Sequence, residues 1–523
     1  MLEIKKVARD VEQADTGTLY KSLLKWTLLR PNEPYVIEAE TGRELTFAQT
    51  LAAVNELRQF LGTTPRCIML AFPSGIANAV IWLSALAWGH QLIPLSPEST
   101  TAEKAALIQK YQPDIFCTEN IPDVLDTENS IHMQILTLQE CTQRIVRAAA
   151  RGQIDQFEQY EGQVCLTTSG TTGEPKTIVL QERQIAWTAA QVCHSHQLTT
   201  HDRGLTVLPF FHVNAPVVSL CASLLAGATI VIARRFSLRA FWLWVEQYQV
   251  TWVSIVPTIA FMLLKTEKPA FLPGVVRFMR TGSSALPAHN LQAFEARFGI
   301  PLIETYGLSE AASQVTANPL PPATHKPGSA GLPVGVDLRI CYPREQADEP
   351  GLCDVPQGSI GEICITGPGV VVAYQHNVER DAFQSGWFRT GDLGYLDQDG
   401  YLFIQGRLRE VIIRGGENII PREIEDVLLQ HPAVREVAAV GRPDDVYGEQ
   451  VVAYVVVAQE WTADLAEELH QFAIQRLSTA KVPVECIPLA ELPKNATGKI
   501  ARRLLHAREQ EYARSSHVNQ YSN

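Results

Sequence analysis

"TTSGTTGEPK", Thr167 to Lys176, sets seven consecutive glycine or hydroxyl-bearing residues just ahead of a lysine. Such a run offers hydroxyls and unobstructed backbone N–H groups as donors to phosphate oxygens, and the lysine adds a positive charge. A Walker loop requires a glycine, four residues, then Gly-Lys-Ser/Thr. Counted from Gly170, the second glycine would fall at Pro175, so that reading fails. The strand-like "GQVCLTT" before the loop and "TIVL" after it predict a turn between two strands. A polar surface hairpin would carry the same letters, and the rest of the chain has to decide.

Outward from the loop, "CIMLAF" and "GHQLIPL" flank the apolar helix pattern "GIANAVIWLSALAW", and "GLTVLPFF", "ATIVIA" and "TWVSIVPT" recur with helix-length segments between them. Strands alternating with helices predict parallel sheets covered by helices, the α/β class. From Gly328 to Tyr401 the texture changes to short strands and glycine-rich turns, as in "GSIGEICITGPGVVVAY" and "GYLDQDGYLFIQG". That pattern predicts an antiparallel, β-barrel-like portion. After "GRLRE" the chain restarts. "PREIEDVLLQH" opens a helix with Pro421 and early acids, "VREVAAVG" and "QVVAYVVV" read as strands, and "TADLAEELHQFAIQRL" spaces Leu465, Leu469, Phe472 and Leu477 as an amphipathic helix. The expected division is a large N-terminal domain at 1–405, a connection at 406–409, a small α+β domain at 410–510 and a polar, frayed tail at 511–523.

Length and composition bound the function. The 523 residues allow several cores, and 46% hydrophobic with 19% charged residues describes an ordinary globular chain. A formal net charge of -12 argues against nucleic acid as a partner, though a local basic site for an anion remains possible. Ten cysteines without a CxxC pair suit neither a zinc module nor a disulfide scaffold, and predict reduced thiols in a cytoplasmic compartment. The N-terminus lacks the apolar core of a signal peptide. Val213 to Ala233 is long enough to span a membrane, but Gly227 divides it into a helix candidate and a short strand, so no transmembrane segment is expected.

Three further motifs change what the loop means. "ETYGLSEAA" spans Glu304 to Ala312, "FRTGDLGYLDQDGYLFIQGR" spans Phe388 to Arg407, and "LPKNATGKIARRLL" spans Leu492 to Leu505. Together with "TSGTTGEPK", and in this order, they resemble the adenylate-forming superfamily of acyl-CoA synthetases, peptide-synthetase adenylation domains and luciferases. The resemblance runs from about Tyr20 to Leu505. It implies an ATP-dependent, AMP-forming acid–thiol ligase. A carboxylate would join the α-phosphate of ATP, pyrophosphate would leave, and the acyl group would pass to coenzyme A or to a separate carrier protein. Because an anion attacks an anion, positive charge and in-line placement should dominate.

Roles follow from the resemblance, position by position. Lys499 corresponds to the catalytic lysine, Glu310 to the acid that helps hold Mg2+, and Ser309 to an α-phosphate contact. Thr168, Ser169, Gly170, Thr171, Thr172, Gly173 and Lys176 would grip the β- and γ-phosphates. Tyr306 and Thr305, with Gly282 and Ser283, would take the adenine, while Asp392 and Arg407 would take the ribose. Arg409 stands at the hinge position, implying a mobile C-terminal domain, and Arg414, Gly415, Gly416 and Glu417 correspond to the pantetheine tunnel. The acyl pocket would include Phe211, His212, Val213, Asn214 and Gly307, with His212 close to the reacting carboxylate.

Amino-acid-activating members carry an Asp in the segment matching "FFHVNAP"; here none is present, so an α-amino acid is not expected. "HQLTTHDRGLTVLPFFHVN" and "TANPLPPATHKPGSAGLPVG" look like the oxalate–CoA ligase branch. That branch typically has His-Val-His-Gly where this chain has His-Val-Asn-Ala, so the pocket loses a polar, ionisable partner. Oxalate thus stands as one candidate among small and medium carboxylic acids. A non-catalytic nucleotide-binding protein is the remaining alternative; Lys499, Glu310 and Asp392 are all present against it.

Overall fold

The computed structural model describes residues 17–120, 133–151, 160–168, 176–267, 269, 275–284, 286–344, 352–375, 380–494 and 500–520. The chain divides into two compact units, residues 1–338 with 365–388, and residues 339–364 with 389–523.

Two α/β sheets build the first unit. In one, six neighbouring strands run parallel in the spatial order Pro34–Glu38, Thr229–Ile232, Arg203–Thr206, Trp252–Ile255, Phe278–Thr281 and Leu302–Leu308. Antiparallel strands Glu44–Thr46 at one end and Ser313–Ala317, then Leu332–Pro333, at the other complete nine. The second sheet has six strands, ending in the antiparallel pair Gln163–Thr168 and Lys176–Gln181. The expected strand–helix–strand over Cys67–Pro94 is present, with Cys67–Ala71 parallel to Gln91–Pro94. Every residue of its helix, Ile76–Ala87, is buried, which is why the segment is apolar all round.

The apolar stretch at 213–233 resolves as the sequence suggests, with one addition. Asn214–Cys221 winds as a π-helix, Ala222–Ala226 as an α-helix, Gly227 turns at φ 69°, and Thr229–Ile232 is a buried strand. Among the described residues no helix is long and apolar enough to cross a membrane.

In the second unit, the hairpin Val434–Asp444/Gly448–Val457 is covered on both faces. Val437, Ala439, Val451, Ala453 and Val455 pack with Ile424, Leu428, Leu465 and Leu469. Ala438, Val440, Val452 and Tyr454 pack with Leu492 and Leu505. Burial on both faces accounts for the unbroken apolar run "QVVAYVVV". The predicted helix closes at Ile474, so Leu477 packs from beyond its end. The backbone is helical from Arg502 to Gln520, through most of the polar tail.

Candidate active site

Open α/β sheets place ligands outside the carboxyl ends of their parallel strands. In the first unit the sequence-derived acyl and adenine residues gather along that edge. Phe211 to Asn214 follow the strand ending at Thr206, Gly282 and Ser283 follow the strand ending at Thr281, and Thr305 to Glu310 lie on or just past Leu302–Leu308. The chain reverses sharply there. After the short helix Ser309–Ala311, Ala312 and Ser313 both take positive φ, 51° and 110°, and Ser313–Ala317 pairs back onto Leu302–Leu308 with a bulge at Tyr306/Gly307. The reversal requires glycine at 307: a Cβ there would lie 1.4 Å from the Ser313 carbonyl oxygen. A Cβ on Gly282 would also be too close, 2.7 Å from the Thr305 hydroxyl. Tyr306 and Thr305 are buried, while Phe211, His212 and Asn214 are half-buried, with the Phe211 and His212 rings 4.4 Å apart.

The phosphate-loop hairpin has the predicted frame. Gln163–Thr168 pairs with Lys176–Gln181 in register Thr168 to Lys176. Ser169, Gly170, Thr171, Thr172 and Gly173, with the Thr168 side chain, lie outside the described residues. Tyr111 Oη lies 2.8 Å from Thr167 Oγ1 and 2.9 Å from Thr177 Oγ1, and Lys110 Nζ donates to Thr177 Oγ1 at 3.1 Å. Lys176 Nζ stands 5.2 Å from the ring centroid of Tyr374, whose hydroxyl donates to Glu310 Oε1 at 2.9 Å. One tyrosine thus joins the loop lysine to the acid of "GLSEAA". Tyr374, Lys110 and Tyr111 were not expected from the sequence; an aromatic after a valine run and a Lys-Tyr at a helix end carry no motif.

A further unexpected residue meets Asn214. Arg280 is 2% exposed, with Nη1 donating to Asn214 Oδ1 at 3.4 Å and Nη2 donating to the Thr305 hydroxyl. Burial lowers its pKa to about 9, because the charged form loses its hydration.

Within the second unit, Asp392 is 6% exposed and opposes Arg407 across the strand pair, with Arg407 Nε 3.0 Å from Asp392 Oδ1. The "TGD" segment, inside the strand Trp387–Leu396, is braced by Glu362: Gly391 N–H donates to Glu362 Oε1 at 3.2 Å, and Glu362 pairs with buried Arg389. Arg409 is exposed in the short helix Leu408–Glu410. "RGGEN" forms a tight hairpin in which Gly415 and Gly416 both take positive φ, 58° and 85°, the requirement of a type I′ turn, while Glu417 starts the return strand. Arg414 Nη1 donates to the carbonyls of Thr479 and Ala480. Lys499 lies outside the described residues; the flanking Lys494 and Ile500 form an antiparallel bridge.

Metal fits this donor set in one form. Among the described residues no cluster of three or more His, Cys, Asp or Glu could hold an ion unaided. A lone carboxylate such as Glu310 suits Mg2+ that arrives on phosphates and keeps several waters.

Comparison with known proteins finds family matches over most of the chain. The AMP-binding enzyme family model matches residues 25–375, and that of the AMP-binding enzyme C-terminal domain matches 423–499. Sulfoacetate–CoA ligase of Cupriavidus necator is 43% identical over 338 residues, 64% of this chain and 65% of that protein, just short of two thirds of its length. Oxalate–CoA ligase of Arabidopsis thaliana is 34% identical over 461 residues, 84% of this chain and 87% of that protein. The structure of o-succinylbenzoate coenzyme A synthetase from Bacillus subtilis, in complex with ATP and magnesium ion, superposes with a TM-score of 0.77 at 26% identity, covering 92% of this chain and 98% of that one.

Proposed function

This chain belongs to the AMP-binding enzyme family, and from that premise we propose the reaction it performs: it is an AMP-forming acid–CoA ligase. It condenses a carboxylic acid with ATP to an acyl-adenylate and pyrophosphate, then transfers the acyl group to the thiol of coenzyme A. The relatives named above are CoA ligases, which supports CoA as the acceptor.

The observation that supports this reading best is the line Lys176–Tyr374–Glu310. Two motifs separated by more than a hundred residues in sequence meet on one aromatic ring. A cation and a carboxylate held together in this way suit triphosphate with its magnesium, the cation facing phosphate oxygens and the carboxylate facing the ion. Magnesium, when bound, neutralises charge on the phosphates. Lys176 and the hydroxyls of Ser169 to Thr172 hold the departing pyrophosphate. Ser309 meets the α-phosphate, Tyr306 and Thr305 line the adenine, and Asp392 accepts hydrogen bonds from the ribose hydroxyls while Arg407 fixes its orientation. His212 orients the reacting carboxylate, and Lys499 meets the charge that grows between carboxylate and α-phosphate. Rotation at Arg409 then exchanges the adenylation groups for "RGGEN", whose side-chain-free turn leaves room for a pantetheine arm. Ten free cysteines agree with a cytoplasmic setting.

Pyrophosphate release with ATP and Mg2+ across a panel of carboxylic acids, each with and without CoA, tests the proposal. Acid-dependent release with CoA-dependent AMP and thioester is expected. Adenylate that never becomes a CoA thioester would redirect the second half to a carrier protein. Silence across the panel from a folded, ATP-binding protein would refute the reading.

A further inference from the structure

The described residues include two arginines with side chains almost wholly inside the protein, Arg389 and Arg280, and they are treated differently. Arg389 is paired with the carboxylate of Glu362. Among the described residues Arg280 has no such partner: its Nη atoms reach only the Asn214 amide oxygen and the Thr305 hydroxyl, and its Nε, also buried, meets no hydrogen-bond partner there. A guanidinium removed from water costs several kcal/mol unless an anion compensates it, and neutral acceptors do so only in part. Burial is also what moves its pKa, with no carboxylate contributing.

The position of this uncompensated charge gives it a use. Arg280 is the penultimate residue of Phe278–Thr281, at the carboxyl edge of the parallel sheet where ligands bind. Ser254 stands directly beside it on the neighbouring strand, and Ser254 Oγ donates to the same Asn214 oxygen at 3.3 Å. Asn214, half-buried, heads the π-helix and lies two residues beyond His212 in the acyl segment. Asn214 is also where the sequence lacks the polar partner typical of the oxalate branch. The fold brings a cation to that place from a strand 66 residues later.

We propose that Arg280, with Asn214 and Ser254, is the anchor for a second anionic group on the substrate, so that the enzyme's acid is a short one carrying a carboxylate or sulfonate besides the carboxyl it activates. This rests on the ligase reading and on the assignment of Phe211 to Asn214 to the acyl pocket. The incoming anion supplies the charge that Arg280 lacks, and its oxygens take donors that now point at the Asn214 oxygen. A neutral group of the same shape would leave the guanidinium buried and uncompensated, which is how a polar site rejects an isostere. Arg280 is a specificity residue on this view, remote from the bond that forms.

The test uses the full chain with ATP, Mg2+ and CoA, and two acid pairs matched in shape. Malonate is set against 3-methylbutyrate and sulfoacetate against 3,3-dimethylbutyrate. We expect kcat/KM to favour at least one dianion by about 100-fold or more, the scale of a buried charge pair lost or gained. The pair showing the preference identifies the anion as carboxylate or sulfonate. Arg280→Met should bring the ratio to within about 3-fold of unity. Asn214→Asp, which hands the guanidinium an internal partner, should abolish the preference while melting no lower than the parent; it decides the matter if Arg280→Met does not fold. Equal turnover of dianions and isosteres, or a preference that survives either substitution, overturns the inference and leaves the ligase reading intact. No pyrophosphate from any acid overturns both.

Discussion

Replacing Tyr374 with Phe removes one hydroxyl and little else. The ring is 6% exposed and packs edge-on against Phe383 and Phe388, with centroids at 5.3 and 6.2 Å, so its packing survives the change. Lys176 keeps its aromatic face at 5.2 Å. What disappears is the 2.9 Å hydrogen bond to Glu310 Oε1. A hydrogen bond to a charged group contributes about 1.5–3 kcal/mol. At about 1.4 kcal/mol per decade that is roughly a 10- to 100-fold effect, the range seen when a metal ligand's orienting partner is lost. If Glu310 serves the magnesium of MgATP, the Mg2+ concentration giving half-maximal pyrophosphate release should rise by that factor. Turnover at saturating Mg2+ should stay near the parent value, and the melting curve should move by no more than a few degrees. A magnesium titration at fixed free ATP reads all of this. An unchanged curve in a folded variant would show that Tyr374 does not position the metal-facing carboxylate, and the chain of reasoning from Lys176 to Glu310 would fail with it.

Three other outcomes are expected. Gly307→Ala must displace the Ser313 carbonyl, since the new methyl would lie 1.4 Å from its oxygen, and should cost more than about 3 kcal/mol; a urea melt matching the parent would contradict that geometry. Asp392→Asn leaves one acceptor where two ribose hydroxyls donate, so KM for ATP should rise by roughly 10- to 100-fold and discrimination against 2′- and 3′-deoxy-ATP should weaken; preserved discrimination would remove the ribose role. Glu182, 1% exposed, accepts from the N–H groups of Gly17 and Leu19 at 3.2 and 2.8 Å, and burial outweighs those bonds to raise its pKa to about 7. The native state therefore holds a proton that the unfolded chain releases near the ordinary carboxylate value of 4.5. Stability from this group is full at low pH and declines as pH rises through about 4.5 to 7, by on the order of 3 kcal/mol. Chemical denaturation between pH 4.5 and 8 should show a decline that Glu182→Gln lacks; equal slopes would contradict it.

Much of this was legible in one dimension because the deciding features are local. Hairpin strands flanking "TSGTTGEPK", the helix between "CIMLAF" and "GHQLIPL", and the break at Gly227 each follow from periodicity or from one residue's backbone preference. Glycines 415 and 416 announce their turn for the same reason. What stayed hidden depends on who meets whom. Arg280 sits in "VRFMRT" like any strand residue, and nothing in those letters says that, among the described residues, an amide oxygen and a hydroxyl will meet it and no acid. Tyr374 matters only because the short helix carrying Glu310 comes within hydrogen-bond reach of its hydroxyl. The π-helical winding at Asn214 and the paired positive φ at Ala312 and Ser313 are imposed by tertiary packing on residues with no intrinsic taste for them. Asn214 shows the limit of reading a segment by itself: the guanidinium that meets its amide oxygen comes from a strand 66 residues later.

The central claim is that a carboxylate oxygen of the substrate attacks the α-phosphate of ATP. The most direct measurement is the fate of that oxygen. The acid that turns over is labelled with 18O in its carboxyl group, incubated with ATP, Mg2+ and CoA, and the products are weighed by mass spectrometry. The account predicts one 18O in AMP, none in pyrophosphate, and a thioester retaining the other label. Label in orthophosphate, with ADP in place of AMP, would contradict it.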